Sequence, residues 1–207
     1  MAAPAGRRER KKLATRAALR RAALRLALRD GVENVTAERI ADEADVARRT
    51  FFNYFSGKEE ALLATAALGA EAVVARFRAR PPRESVLTAL RAAVLEVMDG
   101  GSDGDDDLAG REHVAVLRLI RRAPSLLPQQ LSVLAAQERA LAAAIAERLE
   151  LPDDAYARLC ATTAFGALRV VLDRWLERAG DDVTPPLDVL RAEVADAFAM
   201  LAGGLDR

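Results

Sequence analysis

The stretch that decides the fold covers residues 36–58 and reads TAERIADEADVARRTFFNYFSGK. It predicts a first helix that begins at Thr36, because threonine is a good N-cap residue. Ile40 and Ala44 then share one face of that helix at helical spacing. Asp45 ends it, since aspartate tolerates the left-handed conformation that a tight turn between helices often needs. We therefore expect two short helices joined by a tight turn.

The second helix is predicted over about residues 47–54. Two adjacent arginines, Arg48 and Arg49, stand there beside the aromatic residues Phe51 and Phe52. A helix that enters a major groove needs this mixture, with donors toward bases and phosphates and apolar residues behind that hold it. The pattern thus favours a helix-turn-helix that binds double-stranded DNA.

This stretch resembles the helix-turn-helix of the TetR family of bacterial transcriptional regulators. The family pattern is Thr, then Ile-Ala-x-x-Ala-Gly-Val, then Ser-x-x-Thr-Leu/Phe-Tyr/Phe-x-Tyr/His-Phe, then Lys-Glu-x-Leu. The matching residues, within a resemblance that covers about 13–63, are Thr36, Ile40, Ala41, Ala44, Val46, Thr50, Phe51, Phe52, Tyr54, Phe55, Lys58, Glu59 and Leu62. Two positions depart from it: Asp45 replaces the turn glycine, and Ala47 replaces the capping serine. Losing such a cap typically costs about 1 kcal/mol.

The resemblance implies a role at the DNA for several residues of this stretch. Arg48 and Arg49 would face the groove, where an arginine can pair with a guanine edge. Asn53 would read a base or a phosphate, and Phe52 can pack on a thymine methyl group. Thr50, Tyr54 and Lys58 would hold phosphates. The residues that we expect to contact DNA are Thr36, Arg48, Arg49, Thr50, Phe52, Asn53, Tyr54 and Lys58.

Composition agrees with an all-α protein of one large domain or two small ones. Of the 207 residues, 51% are apolar and only 4% aromatic, and the apolar residues are mostly the strong helix formers alanine and leucine. The net charge is zero, but residues 1–60 hold 14 basic and 9 acidic residues, so the remainder carries −5. This asymmetry is typical of a DNA-binding head on a separate sensory or assembly body.

The N-terminal region is strongly basic. Residues 7–29 contain ten basic residues and a single acid, Glu9. An amphipathic helix is predicted over 13–29, ended by Asp30-Gly31, since glycine is a usual C-terminal stop. Residues 1–12 are either a disordered terminus or a basic arm that follows phosphates or enters a minor groove.

Six further helices bring the prediction to nine. A Ser-x-x-Glu capping box at Ser56 and Glu59 should open the fourth helix, and residues 99–110 should form a mobile loop. The remaining helices are predicted over 58–78, 84–98, 111–122, 126–150, 154–178 and 187–202. We expect a DNA-binding domain with its basic arm over 1–57 and a ligand-binding and dimerisation domain over 58–207.

The helix predicted over 154–178 is apolar on more than one side, which indicates burial on more than one side. In the family, the last two helices of each subunit pack against their mates as a four-helix bundle; the alternative is burial within a monomer. The residues expected at this interface are Leu159, Thr163, Gly166, Val170, Leu190, Val194, Phe198 and Leu201. A two-fold homodimer predicts a palindromic operator.

The helices of the body offer mostly aliphatic side chains, so the expected effector is an apolar or amphipathic small molecule that releases a repressor from its operator. The residues expected to line its pocket are Phe77, Leu90, Val94, His113, Leu117, Ile120, Leu134 and Phe165. His113 is read either as a packed side chain or as a ligand contact. Arg118, Arg121 and Arg122 either meet an acidic group of the ligand or form a solvated basic face.

Enzymatic, metal and cofactor chemistry find little support. The chain has one histidine and one cysteine and lacks the common catalytic and phosphate-binding motifs, so we expect no enzyme, no metal and no cofactor. Cys160 is read as a buried small hydrophobe or a redox switch. No apolar run approaches the roughly 18 residues needed to span a membrane, and we expect a cytoplasmic protein.

The alternatives to a repressor are an architectural or activating DNA-binding protein without a ligand and an unrelated helical interaction module.

Overall fold

A computed structural model describes residues 6–99, 106–179 and 186–204 of the chain, and within them the chain forms nine α-helices, as predicted. Two short 3-10 helices, Val32–Asn34 and Pro124–Leu126, complete the secondary structure of these residues. The nine helices are α1 (Arg7–Asp30), α2 (Ala37–Glu43), α3 (Arg48–Phe52), α4 (Lys58–Ala79), α5 (Val86–Asp99), α6 (Asp106–Arg122), α7 (Leu127–Leu149), α8 (Ala155–Ala179) and α9 (Leu187–Gly203). The all-α class is confirmed.

The helix boundaries differ from prediction mainly at the N-terminal ends. Helix α1 begins at Arg7, six residues early, because arginine and lysine are good helix formers and no breaker separates 7–12 from the periodic segment. It ends as predicted before Gly31, whose φ is +81°. Helix α6 takes in residues 106–110 of the predicted loop, while 100–105 and 1–5 lie outside the described residues.

Contacts divide the chain into two compact units. The first contains the described residues up to Ala66 together with Ala115–Leu131. The second contains the described residues of Ala67–Val114 and those from Ser132 onward. Compactness does not assign a function, so the division into a domain over 1–57 and one over 58–207 stays a prediction.

The core of the first unit fixes the helix-turn-helix on its neighbours. Leu19 of α1, Ile40 of α2 and Phe51 of α3 are completely buried, and Phe55 is nearly so. Leu126, from the later segment of this unit, is buried in the same core. Burying one such side chain stabilises the folded state by roughly 1.5–3 kcal/mol. Core packing therefore fixes helices α1, α2 and α3, and with them the starting points of the side chains that they present to solvent.

The core of the second unit includes three residues of α9 that the sequence predicts at a subunit interface. Leu190, Val194 and Phe198 of α9 are 6%, 1% and 2% exposed within a single chain. Trp175 of α8 is also buried, and its indole Nε1–H donates a hydrogen bond to the Pro186 carbonyl at 3.2 Å. The apolar period of α9 thus corresponds to the interior of its own chain, and these three side chains offer little surface to a partner.

Arg148 of α7 ties the end of α4 to the start of α5. Its guanidinium donates hydrogen bonds to the carbonyls of Arg80 at 3.3 Å, of Glu84 at 2.9 Å, and of Pro81. The same guanidinium lies 5.3 Å above the centre of the buried Phe77 ring. Arg80 pairs with Glu84, and its hydrogen bond lowers the pKa of that carboxyl group. The turn between α4 and α5 is therefore firmly held.

Helix α8 departs from the expectation that no apolar segment is long enough to span a membrane. Among the described residues, Ala155–Arg178 forms a helix long and apolar enough to cross a membrane, by length and composition only. Only 22% of its most apolar window is buried. Leu159 and Val170 are 68% and 54% exposed on one side of it. An exposed apolar side of this kind is also what a subunit interface requires.

Candidate nucleic-acid interface

Thr36 caps helix α2 as predicted. Its backbone is extended, and its Oγ1 accepts a hydrogen bond from the Arg39 N–H at 3.3 Å. The Ile40 N–H donates to the Thr36 carbonyl at 3.0 Å, which is the first bond of the helix. The side chain of Thr36 remains exposed at the start of α2.

The turn between α2 and α3 is a complete Schellman motif with aspartate at the left-handed position. Asp45 has φ +53°, and its N–H donates to the Asp42 carbonyl at 3.1 Å. The Val46 N–H reaches back to the Ala41 carbonyl at 3.0 Å, and the Val46 side chain packs on the core. These are the two hydrogen bonds and the apolar contact that define the motif. The prediction that Asp45 serves in place of the turn glycine is confirmed.

Helix α3 is shorter than predicted and starts without a side-chain cap. Ala47 is the N-cap residue and supplies no side-chain hydrogen bond, as the departure from the family pattern implied. The helix covers five residues rather than eight, because Asn53 already forms its C-cap. The buried Phe51 ring holds it to the core and meets the Phe52 ring edge-on, with 5.2 Å between their centroids.

The side chains expected to read bases are presented to solvent. Arg48, Arg49 and Asn53 are exposed, and Phe52 is 48% exposed despite being a large aromatic residue. The two residues expected to hold phosphates, Thr50 and Tyr54, are half-buried in the same segment. The helix therefore has the division that groove binding requires: exposed donors in front and aromatic packing behind. The individual contacts to DNA stay predictions.

Arg48 has a partner that the sequence analysis missed. Its Nε lies 2.7 Å from Oε1 of Glu38 in the first turn of α2, and its guanidinium carbon lies 5.6 Å from the centre of the Phe52 ring. Glu38 and Arg48 are ten positions apart on different helices, so no periodic pattern links them. Only the angle between α2 and α3 brings them together.

A groove of about 820 Å³ lies between the start of α1 and residues 46–54, which we call the recognition segment. Its lining joins α1 to the turn and to α3, and comprises Arg8, Glu9, Lys11, Lys12, Thr15, Val46, Ala47, Thr50, Asn53 and Tyr54. Three cations of α1 thus face two residues that we expect to hold phosphates. Residues 7–12 are a basic helical wall of this groove rather than either a disordered terminus or an extended arm.

Lys58 lies at the start of α4 and is engaged within the first unit. Its Nζ donates to the Val32 carbonyl at 3.1 Å. The predicted capping box is displaced by one residue, because the Ser56 N–H and hydroxyl donate to Oε2 of Glu60, at 2.8 and 2.7 Å, rather than to Glu59. The Ala61 N–H donates to the Gly57 carbonyl, so Gly57 is the N-cap and Glu60 the third helical residue. Phosphate contact by Lys58 stays a prediction.

The residues expected to line a ligand pocket lie in both compact units. Phe77, Leu90 and Val94 are buried in the second unit, which also contains the half-buried Leu134 and Phe165. Leu117 and Ile120 are half-buried in the first unit. The side chain of His113 lies outside the described residues. The pocket stays a prediction.

The expected interface residues of α8 have the exposure that a partner surface needs. Leu159, Thr163 and Val170 are exposed, and the half-buried Gly166 continues the stripe between them. A Cβ atom added to Gly166 would meet no atom of the chain within 4 Å, so this part of the surface is open. Leu201 of α9 is half-buried. The α8 part of the predicted interface is thus available, whereas the α9 part is mostly internal.

Comparison with known proteins agrees with this geometry. Residues 19–65 match the family described as bacterial regulatory proteins of the tetR family, and residues 84–205 match a family described as the MftR C-terminal domain. The HTH-type transcriptional regulator TcmR of Streptomyces glaucescens is 36% identical over 199 residues, which cover 91% of this chain and 88% of TcmR. The chain belongs to the TetR family of bacterial transcriptional regulators.

Solved structures of the family share the fold at lower identity. Thermus thermophilus FadR, a TetR-family repressor in complex with lauroyl-CoA, is 24% identical with a TM-score of 0.53, covering 93% of this chain and 95% of FadR. The SmeT–triclosan complex, whose protein comes from Stenotrophomonas maltophilia, is 20% identical with a TM-score of 0.60 and coverages of 92% and 91%. These similarities concern the fold alone.

Proposed function

We propose that this transcriptional regulator is a homodimeric repressor that binds a palindromic operator and is released from it by a small apolar or amphipathic ligand. The observation that carries the proposal is the exposure of Arg48, Arg49 and Asn53 on a helix held to the core by Phe51. Such a regulator acts where the chromosome is, so we place it in the cytoplasm.

Different groups of residues contact the bases and the phosphates of the DNA. The exposed donors of α3 reach base edges in the major groove, which determines the sequence that is bound. Lys11 and Lys12 of α1 and the half-buried Thr50 and Tyr54 line one groove, and there they hold phosphates. Phosphate contacts set the orientation and the salt dependence of binding without reading sequence.

The dimer forms through the exposed stripe of α8. Leu159, Thr163, Gly166 and Val170 follow one another at steps of four, three and four residues, which places them on one side of a helix. On the adjoining α9, the exposed apolar residues are Leu187, Val189 and Met200 rather than the three buried ones that the sequence suggested. Two such pairs of helices, related by a two-fold axis, bury these apolar side chains in a four-helix bundle.

The ligand binds in the C-terminal region and acts through α4. Phe77, Leu90 and Val94 provide apolar walls of the kind that line small-molecule sites. Lauroyl-CoA in Thermus FadR and triclosan in SmeT are examples of ligands in proteins of the same fold. Helix α4 runs from the first unit into the second, and its tilt changes the separation of the two recognition helices.

Selection of bound sites from random double-stranded DNA with the full-length chain tests the DNA-binding part. We expect a palindrome, and we expect Arg48→Ala to lose about tenfold or more in preference for at least one base pair of each half-site. Lys12→Ala should weaken binding to all sequences and lower the salt slope by about one for each lost phosphate contact. Arg83→Ala, at an exposed arginine of the second unit, is the charge-matched control and should change neither. Unchanged discrimination in Arg48→Ala would refute the assignment.

Sedimentation of two leucine variants tests the dimer. Leu159→Glu places a charge on the α8 stripe and should give a monomer at concentrations where the natural chain is a dimer. Leu28→Glu introduces the same change at a comparably exposed leucine of α1, 56% against 68%, and should remain dimeric. Two dimers, or two monomers, would argue against the α8 interface.

A further inference from the structure

Arg48 is held at two points on an otherwise exposed surface. Its Nε lies 2.7 Å from Oε1 of Glu38 in an ion pair, and its guanidinium lies over the Phe52 ring at 5.6 Å. The Phe52 ring leans edge-on against the buried Phe51 ring. A long side chain that would otherwise sample many rotamers is therefore directed by an acid on one side and an aromatic ring on the other.

We propose that Glu38 is a positioning residue that sets the orientation in which Arg48 reads a base, an inference that rests on the proposed DNA-binding function. Because the Glu38 carboxylate lies against Nε, the two Nη groups remain to donate. An arginine recognises guanine through two parallel N–H groups directed at O6 and N7. A guanidinium can offer either its side edge, which consists of Nε and one Nη, or its end, which consists of the two Nη groups. The ion pair leaves only the end-on pair of donors.

Glu38 is itself well fixed for this task. It is the second residue of α2, two positions after the Thr36 cap, and Ile40 anchors the same helix in the core. The pKa of the Glu38 carboxyl is lowered, first because the carboxylate accepts a hydrogen bond from its own backbone N–H and further because the Arg48 charge lies beside it. The carboxylate thus stays ionised near neutral pH and keeps its hold on Arg48.

The position of Glu38 has two effects on DNA binding with opposite signs. A carboxylate on the surface that meets DNA repels phosphates, which weakens binding to every sequence. An ordered Arg48 loses less conformational freedom on binding, which favours only the site whose base it reads. Removal of the Glu38 charge should therefore raise affinity for unrelated DNA and lower discrimination at one base pair. A residue that merely stabilised α2 would not produce this combination.

The test compares the natural chain, Glu38→Gln, Glu38→Ala, Arg48→Ala and the double variant Glu38→Ala/Arg48→Ala. Each is titrated with the selected palindrome, with palindromes changed symmetrically at each base pair, and with a scrambled duplex. For Glu38→Ala we expect tighter binding to the scrambled duplex and a loss of about three- to tenfold in discrimination at the base pair that depends on Arg48, the size expected for ordering one long side chain. Glu38→Gln keeps a hydrogen-bond acceptor and should lose less.

The double variant identifies the route of the effect. In the Arg48→Ala background, Glu38→Ala should leave the discrimination profile unchanged. Asp42→Asn, at an exposed acid on the same helix, is the charge control and should raise affinity for all duplexes equally. The proposal is overturned if Glu38→Ala preserves the natural profile, or if it changes that profile equally with and without Arg48, as a general disturbance of α2 would. If the proposed DNA-binding function is wrong, the natural chain itself will show no base preference. That result distinguishes failure of the function from failure of the Glu38 proposal.

Discussion

The left-handed residues at the ends of α2 and α7 allow a quantitative prediction about stability. Asp45 has φ +53° and Glu150 has φ +51°, and both stand at the same position of a Schellman motif. The left-handed conformation costs an ordinary L-residue roughly 1–2 kcal/mol, and less for aspartate, whose short polar side chain can form local hydrogen bonds. Glycine avoids this cost but loses about 0.5–1 kcal/mol in conformational entropy on folding.

The balance of these contributions gives an order for four variants. Glu150→Gly should stabilise the protein by about 0.5–1 kcal/mol, since glutamate has no special tolerance for this conformation. Asp45→Gly should gain about half as much or less, and Asp45→Asn should be close to neutral. Asp45→Ala should destabilise by about 0.5–1 kcal/mol, because alanine pays the strain without a local hydrogen bond.

Urea unfolding at one fixed chain concentration measures the order, since dimerisation makes apparent stability depend on concentration. Hydrogen exchange at the amides of α2 and α3 then shows whether the Asp45 variants act in the first unit, as expected. The comparison of Asp45→Ala with Asp45→Gly decides the matter: equal stability of these two variants would mean that residue 45 does not adopt the left-handed conformation in solution. Asp45→Asn separates charge from strain, and should raise DNA affinity at unchanged stability.

Three further predictions concern the ends of helices. Ala47→Ser should add an N-cap to helix α3 and stabilise it by about 1 kcal/mol, which slower hydrogen exchange at the start of α3 would show; Ala47→Val, whose side chain has no hydrogen-bond acceptor, should not have this effect. Lys58→Ala should weaken DNA binding uniformly and also lower the unfolding midpoint, because the Val32 carbonyl loses the charged donor and keeps only the Val35 N–H; a change in base preference would contradict this. Arg148→Ala should destabilise by about 2 kcal/mol or more through the loss of charged hydrogen bonds to three carbonyls, with Arg148→Lys restoring only part, as urea unfolding would show.

Sequence alone predicted the features that depend on neighbouring residues. Thr36 capped α2, Gly31 ended α1, and Asp45 supplied the left-handed turn, because each acts on backbone groups within a few positions of itself. The apolar period of α8 predicted an interface that includes Leu159 and Val170; both are exposed in the chain, and their role in an interface stays a prediction.

Features that depend on the packing of different helices were missed or misplaced. The period of α9 correctly showed one apolar side, but Val194 and Phe198 face the interior of their own chain rather than a partner. The Glu38–Arg48 pair depends on how two helices cross, which a single sequence does not encode in any spacing. The capping acid of α4 was off by one because Gly57, rather than Ser56, occupies the N-cap.

The attachment of the end of α4 by Arg148 has a mechanical consequence. With the far end of α4 held at the carbonyls of Arg80, Pro81 and Glu84, a movement of this helix is a rotation about that end rather than a slide along its axis. The helix has 22 residues and so an arm of about 33 Å, at about 1.5 Å per residue. A rotation of about 10° would carry the opposite end of an arm of that length through about 6 Å. A displacement of well under an ångström beside Phe77, close to the pivot, would suffice to start such a rotation.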